Sequence, residues 1–164
     1  MATGLVEMFL YNEWANRTLL EACRRLTSDQ LAARPPGISG SISELMTHLV
    51  GGQQTFVLRT SGRQNEGELG RESPWPGIET IIEIAAMTSA ELTAIARQTG
   101  DESVVLPYMG KRFQFPVRFF LTHAIEHGTE HRTEIKVALN QLGMSTPDLD
   151  GWAYATAMGY GAEA

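Results

Sequence analysis

Apolar residues recur along this chain at two spacings, and the changes of spacing mark out its elements. Over residues 3–26, Leu5, Met8, Asn12, Ala15, Leu19, Ala22 and Leu26 repeat every three or four positions, as on one face of an α-helix. Asn12 falls on that inward stripe and needs a polar partner there. Thr27-Ser28-Asp29-Gln30 and then Arg34-Pro35-Pro36-Gly37 read as a loop. Gly40-Ser41-Ile42-Ser43-Glu44 opens a second helix, with Ser41 and Glu44 at capping-box spacing. Its inward stripe is Leu45, His48, Gly52, Thr55 or Phe56, and Arg59, and it ends near Gly62. The mid-helix pair Gly51-Gly52 costs about 1 kcal/mol per glycine relative to alanine and implies a close helix contact or a kink.

Residues 63–77 mix charges with glycine and proline and read as an exposed loop, with Trp75 packed into the core. A third helix is predicted over 78–98, anchored by Ile81, Ile82, Ala85, Leu92 and Ile95, with Gly100 as its stop. Over 101–115 the period falls to two. Val104, Leu106 and Tyr108 alternate up to Met109-Gly110-Lys111, and Arg112 to Phe115 alternate after it, as in a short β-hairpin lying against the helices. The helical period returns over 116–143, with Pro116 at the first helical position and Gly143 as a left-handed stop. Ser145-Thr146-Pro147-Asp148 then reads as the cap of a small last helix with Leu149, Trp152, Ala153 and Ala157 on its apolar side, and 159–164 as a fraying tail. The fold class is all-α: an up-down four-helix bundle with a hairpin before helix four and a small C-terminal helix.

The fourth long helix carries the candidate chemistry. Its inward row is Phe120, Ala124, His127, His131, Ile135, Ala138 and Leu142, so two imidazoles interrupt an apolar stripe. That position is costly for a polar ring unless something binds it. Histidines four apart share a helix face and can grip one metal ion. His48, on the inward stripe of the second helix, is the third candidate ligand, since facing helices lie roughly 8–10 Å apart. Three neutral imidazoles suit zinc, nickel, iron or copper and leave coordination positions open. His123, one turn before His127, is placed near the mouth of such a site, as a group hydrogen-bonded behind it or a proton shuttle.

Composition narrows the classes. The chain has 164 residues, 43% hydrophobic and 20% charged, which fits one globular domain over 1–164. A net charge of −6 without a dense Lys/Arg cluster excludes a nucleic-acid footprint. A single cysteine, Cys23, excludes an intrachain disulfide framework and reads as a small half-buried hydrophobe. No apolar run is long enough to span a membrane, and no signal peptide is visible, so the expected address is cytoplasmic.

Three stretches, YNEWANRTLLEACRRLTSDQL, SISELMTHLVGGQQTFVLR and AIEHGTEHRTEIKVALNQLGMSTPDLD, resemble the DinB/YfiT-like family of metal-binding four-helix bundles. The resemblance covers nearly the whole chain and implies that His48, His127 and His131 are the metal ligands. His123 is not a ligand in that pattern. The family signature usually continues His-Arg-Gly-Gln, where this chain has His131-Arg132-Thr133-Glu134, and Glu126 stands where Asn is frequent. The resemblance implies a divalent transition metal and homodimers, with Trp152 and Tyr154 or helix one as candidate contacts. It further implies a thiol-dependent S-transferase of the bacillithiol or mycothiol class. The alternatives are a metal-dependent hydrolase and a non-enzymatic, stress-associated metal-binding or interaction protein.

Other patterns weigh less. The letters H-x-x-E-H occur twice, ending at His127 and at His131, as in inverted zinc proteases. Glu126 and Glu130 sit about 100° around the helix from the histidines that follow them and read as surface charges. Arg132 is expected in an interhelical salt bridge, Glu134 and Lys136 on a solvated face.

Overall fold

The structure, a computed structural model, describes residues 3–64, 68–70 and 72–161. Its elements are α1 (Thr3–Cys23), α2 (Ser28–Ala32), α3 (Ile42–Thr60), α4 (Ile78–Gln98), β1 (Ser103–Tyr108), β2 (Lys111–Pro116), α5 (Val117–Gln141) and α6 (Gly151–Met158). The expected helical bundle, hairpin and small last helix all form. In cross-section α1 and α3 each pack against α4 and α5.

The core shows the chain path. One apolar cluster joins the start of α3 (Ile42, Leu45, Met46) to the start of α4 (Ile81, Ala85), the end of α1 (Leu19, Leu20) and the end of α5 (Ile135, Ala138). The other joins Phe9 at the start of α1 to Phe56, Leu92 and Phe120. Hence α3 and α4 run the same way, and the up-down alternation expected of the bundle is corrected at this pair. In the connection between them, the described residues around Leu69 press against α3. The Leu69 N–H donates to Gln54 Oε1 at 3.1 Å, and a Cβ on Gly51 would lie 1.7 Å from the Leu69 carbonyl oxygen. Gly51 therefore permits a close contact with this connection, and the close helix contact expected of the glycine pair is made by Gly52, against His127. Trp75 is half-buried against the first cluster.

Local chemistry explains most boundaries. Ser41 and Glu44 form the reciprocal capping box, and Thr27 with Gln30 forms another, starting a five-residue α2 where a plain loop was expected. The hairpin pairs Ser103 with Pro116 through Tyr108 with Lys111, closed by Met109 and Gly110 at φ 49° and 74°, a two-residue turn of the primed type. Pro116 belongs to β2 and caps α5, one position before the expected place, while Gly143 (φ 72°) is the left-handed stop. Helix α4 instead leaves through Thr99 in extended backbone, so Gly100 is not its stop.

Several apolar assignments change, among them Leu142, which ends the inward row of α5 at 36% exposure. Met8 faces solvent and Phe9 takes the core position, packed with Phe56, Leu92 and Phe120. Helix α6 begins after Asp150, whose carboxylate accepts from the Trp152 and Ala153 N–H groups, rather than at 145–148. That phase leaves Trp152 83% exposed and turns Tyr154 inward, where its hydroxyl donates to Glu7 Oε1 at 2.6 Å. Tyr154 is thus packed within the chain at 6% exposure. The Tyr160 hydroxyl also donates to Glu7, at 2.9 Å, so the tail is held as far as that residue. Residues 162–164 lie outside the described residues. No helix is long and apolar enough to cross a membrane among the described residues.

Candidate metal centre

Helices α3 and α5 run antiparallel, and their side chains meet level by level: His48 with His131, Gly52 with His127, Phe56 with His123. The i, i+4 spacing on α5 brings His127 and His131 edge to face, with ring centroids 4.4 Å apart. His48 closes the triangle at 4.9 Å from His127 and 4.6 Å from His131. One nitrogen from each ring lies within 4.8 Å of the others. Gly52 makes the room, since a Cβ there would stand 2.2 Å from His127 Cε1.

The spacing fits a divalent ion. His48 Nε2 and His127 Nε2 are 3.4 Å apart, long for a hydrogen bond. Two nitrogens held about 2.05 Å from a tetrahedral ion would be roughly 3.3 Å apart. His131 is 6% exposed, and its Nδ1 lies 2.6 Å from Glu134 Oε2. With its proton on Nδ1 facing that carboxylate, the ring turns the Nε2 lone pair toward the cluster, the arrangement that orients histidine ligands in metal sites. Glu134 Oε1 also accepts from the Ser39 N–H at 3.1 Å. Burial opposes ionisation of Glu134, but the hydrogen bonds from Ser39 and His131 outweigh it and hold the carboxyl below its ordinary value. The solvated face expected for Glu134 is therefore corrected. The three-residue helical spacing from His131 was its signal in the sequence, and the Ser39 contact was not visible there.

Arg132, next in sequence, points the other way. It is 3% exposed, and its Nη1 donates to Asn12 Oδ1 at 2.6 Å and Asn16 Oδ1 at 2.7 Å. Its guanidinium lies 5.9 Å from the Tyr11 ring. Burial pushes the guanidinium down to about 10, and it stays charged at neutral pH. No carboxylate pairs with it among the described residues, so the expected salt bridge is replaced by two asparagines. Asn12 thus finds the polar partner its buried position requires. Glu126 and Glu130 are both exposed, as expected of surface charges rather than general bases.

The histidine cluster opens onto a cleft of about 600 Å³, lined by His48, His127, Thr55, Arg59, Leu69 and Glu72, with His123 on its wall. His123 sits between the Phe56 and Phe119 rings, at 4.8 and 5.9 Å, and 6.3 Å from the His127 ring. It is outside the three-histidine cluster and on the wall of the cleft. A second cavity of about 520 Å³ adjoins the first and shares Arg59 and His123 with it.

A helical bundle that gathers three imidazoles at an open cleft defines a class of proteins fitted for a divalent metal. The chain belongs to the DinB family, whose model matches residues 1–162. No curated protein sequence matches it. Among solved structures it is similar to a DinB-like protein from Bacillus cereus ATCC 10987, at 21% identity over 89% of this chain and 95% of that one, with TM-score 0.66. A DinB-like protein of Bacillus subtilis, YjoA, is similar at 19% identity over 90% and 98%, with TM-score 0.61. YfiT from Bacillus subtilis, described as a probable metal-dependent hydrolase with an unusual four-helix bundle topology, is similar at 14% identity over 85% and 87%, with TM-score 0.67. At these identities the likeness shows the fold.

Proposed function

We propose that His48, His127 and His131 hold a divalent transition-metal ion and that the chain is a metal-dependent enzyme, a transferase of a low-molecular-weight thiol onto small electrophiles. The observation that carries this reading is the convergence of three imidazole nitrogens on an open cleft, with no carboxylate or sulfur completing the cluster among the described residues. When bound, such an ion supplies Lewis acidity, which lowers the pKa of a thiol or water and favours its nucleophilic form.

The chain's own residues do the rest. Glu134 fixes the His131 ring, Gly52 leaves room for His127, and His123 stands beside the cleft as a proton carrier. Cys23 supports an external sulfur source: it is sealed in the core, and burial pushes its thiol up to about 12. A hydrolase is the second reading, favoured by the description of YfiT.

Cobalt-exchanged protein, purified without a metal-affinity tag, tests the choice. A thiolate-to-metal absorption band on titration with bacillithiol or mycothiol, together with conjugation of monochlorobimane, supports the transferase. Ester hydrolysis without any spectral response to thiols transfers the reading to the hydrolase.

A further inference from the structure

The cavity beyond His123 differs from the rest of this acidic molecule. The chain carries 19 acidic and 13 basic residues, yet the described lining of this cavity contains Arg59 and Arg63 and no carboxylate. Arg63 Nε donates to Ser61 Oγ at 3.1 Å. Arg59 is half-buried, and no hydrogen bond or ion pair engages its guanidinium among the described residues. Arg24, Arg34 and Arg118 by contrast each face a carboxylate: Glu21 and Glu79, Glu44, and Asp101. A half-buried guanidinium with no hydrogen-bonded or ion-paired anion among the described residues, at the junction of two cavities, is a preformed receptor for a carboxylate.

The same cavity is lined by aromatic rings. Phe115 and Phe119 stack at 5.7 Å, and the Tyr108 ring lies edge-on to Phe115 at 6.3 Å. Arg59 follows Gly52, which lies level with His127, by seven residues on α3, about 10 Å of helix rise. Glu72 lines the histidine cleft and is absent from the lining of the aromatic cavity, so like-charge repulsion steers an anion toward the arginine end.

We infer that this site takes an amphipathic organic carboxylate, with its acidic group on Arg59, its apolar body along Phe115 and Phe119, and its reacting end toward the histidines. The inference rests on the reading of the histidine cluster as the reacting centre. It sets the substrate class for that centre, and the cavity volume of about 520 Å³ is within the range of small-molecule sites.

The test is calorimetric binding of 4-phenylbutyrate and its uncharged twin, 4-phenylbutyramide, to the full chain, with and without one equivalent of zinc. The carboxylate is expected to bind about tenfold tighter than the amide, consistent with a charge-assisted hydrogen bond. Arg59→Gln should bring the two within about threefold while leaving amide affinity unchanged, and Phe119→Ala should weaken both together. Equal affinities in the wild type, no binding of the carboxylate at millimolar concentration, or discrimination that survives Arg59→Gln overturns the inference. Zinc stoichiometry in the same samples judges the metal reading separately, since carboxylate preference without zinc uptake fails only the latter.

Discussion

His131 and Arg132 are neighbours on one helix, both buried, and they serve opposite ends. Arg132 is surrounded by matched partners: a cation with five N–H donors meets the carbonyl oxygens of Asn12 and Asn16 and the hydroxyl of Thr129. Those bonds fasten α5 to α1, with Asn16 Nδ2 left buried without a hydrogen-bond partner. The histidine cluster gathers like with like. Three imidazoles bring lone pairs toward one point, and Glu134 behind His131 strengthens the bias. Complementary polar groups make a strut, whereas convergent donors of one kind make a receptor for a cation.

Substitutions can break this contrast. The largest effect is expected from His131→Ala, which should cut zinc affinity by about a thousandfold while far-ultraviolet circular dichroism keeps its helical signal. Comparable zinc uptake by the variant would remove His131 from the receptor. Arg132→Met should do the reverse. It strands two buried asparagine oxygens and lowers stability by about 3 kcal/mol, read from urea unfolding of metal-free protein, while zinc stoichiometry per folded chain stays the same. Glu134→Gln sharpens the comparison, because it retains shape and removes charge. Zinc affinity should fall about 10- to 100-fold by competition with a chelator, with urea unfolding little changed.

The smallest effect concerns the sealed core around Cys23, where the raised thiol pKa has a sign that can be checked. The unfolded thiol titrates near 8.5, the folded one at about 12. The stabilising contribution is complete below the unfolded value and is lost as pH rises toward the folded one. Between pH 8 and pH 10 the wild type should lose about 2 kcal/mol relative to Cys23→Ala. Parallel stability curves for the two proteins would show that the thiol is not sealed.

Much of this was legible from residue pattern. The capping box at Ser41, the change of period at the hairpin, and two histidines breaking the apolar row of α5 each carry local chemistry that reads directly. His48 was legible because an imidazole on an inward stripe needs a reason. What stayed hidden depends on contacts between distant residues. Arg132 finds Asn12 and Asn16 more than a hundred positions away, and no local pattern specifies that pairing. The carboxylate of Glu134 depends on Ser39 as well as on helical spacing. The inward turn of Tyr154 follows from which residue caps α6, and Asp150 prevailed over Thr146. The shared direction of α3 and α4 follows from core contacts between residues far apart in the chain, which no local pattern specifies.

The most direct measurement is zinc-edge X-ray absorption on tag-free protein loaded with one equivalent of zinc. The account predicts one bound ion per chain, three imidazole scatterers at about 2.0–2.1 Å, and a light atom completing the shell. A sulfur scatterer, fewer than three imidazoles, or no bound ion would contradict it.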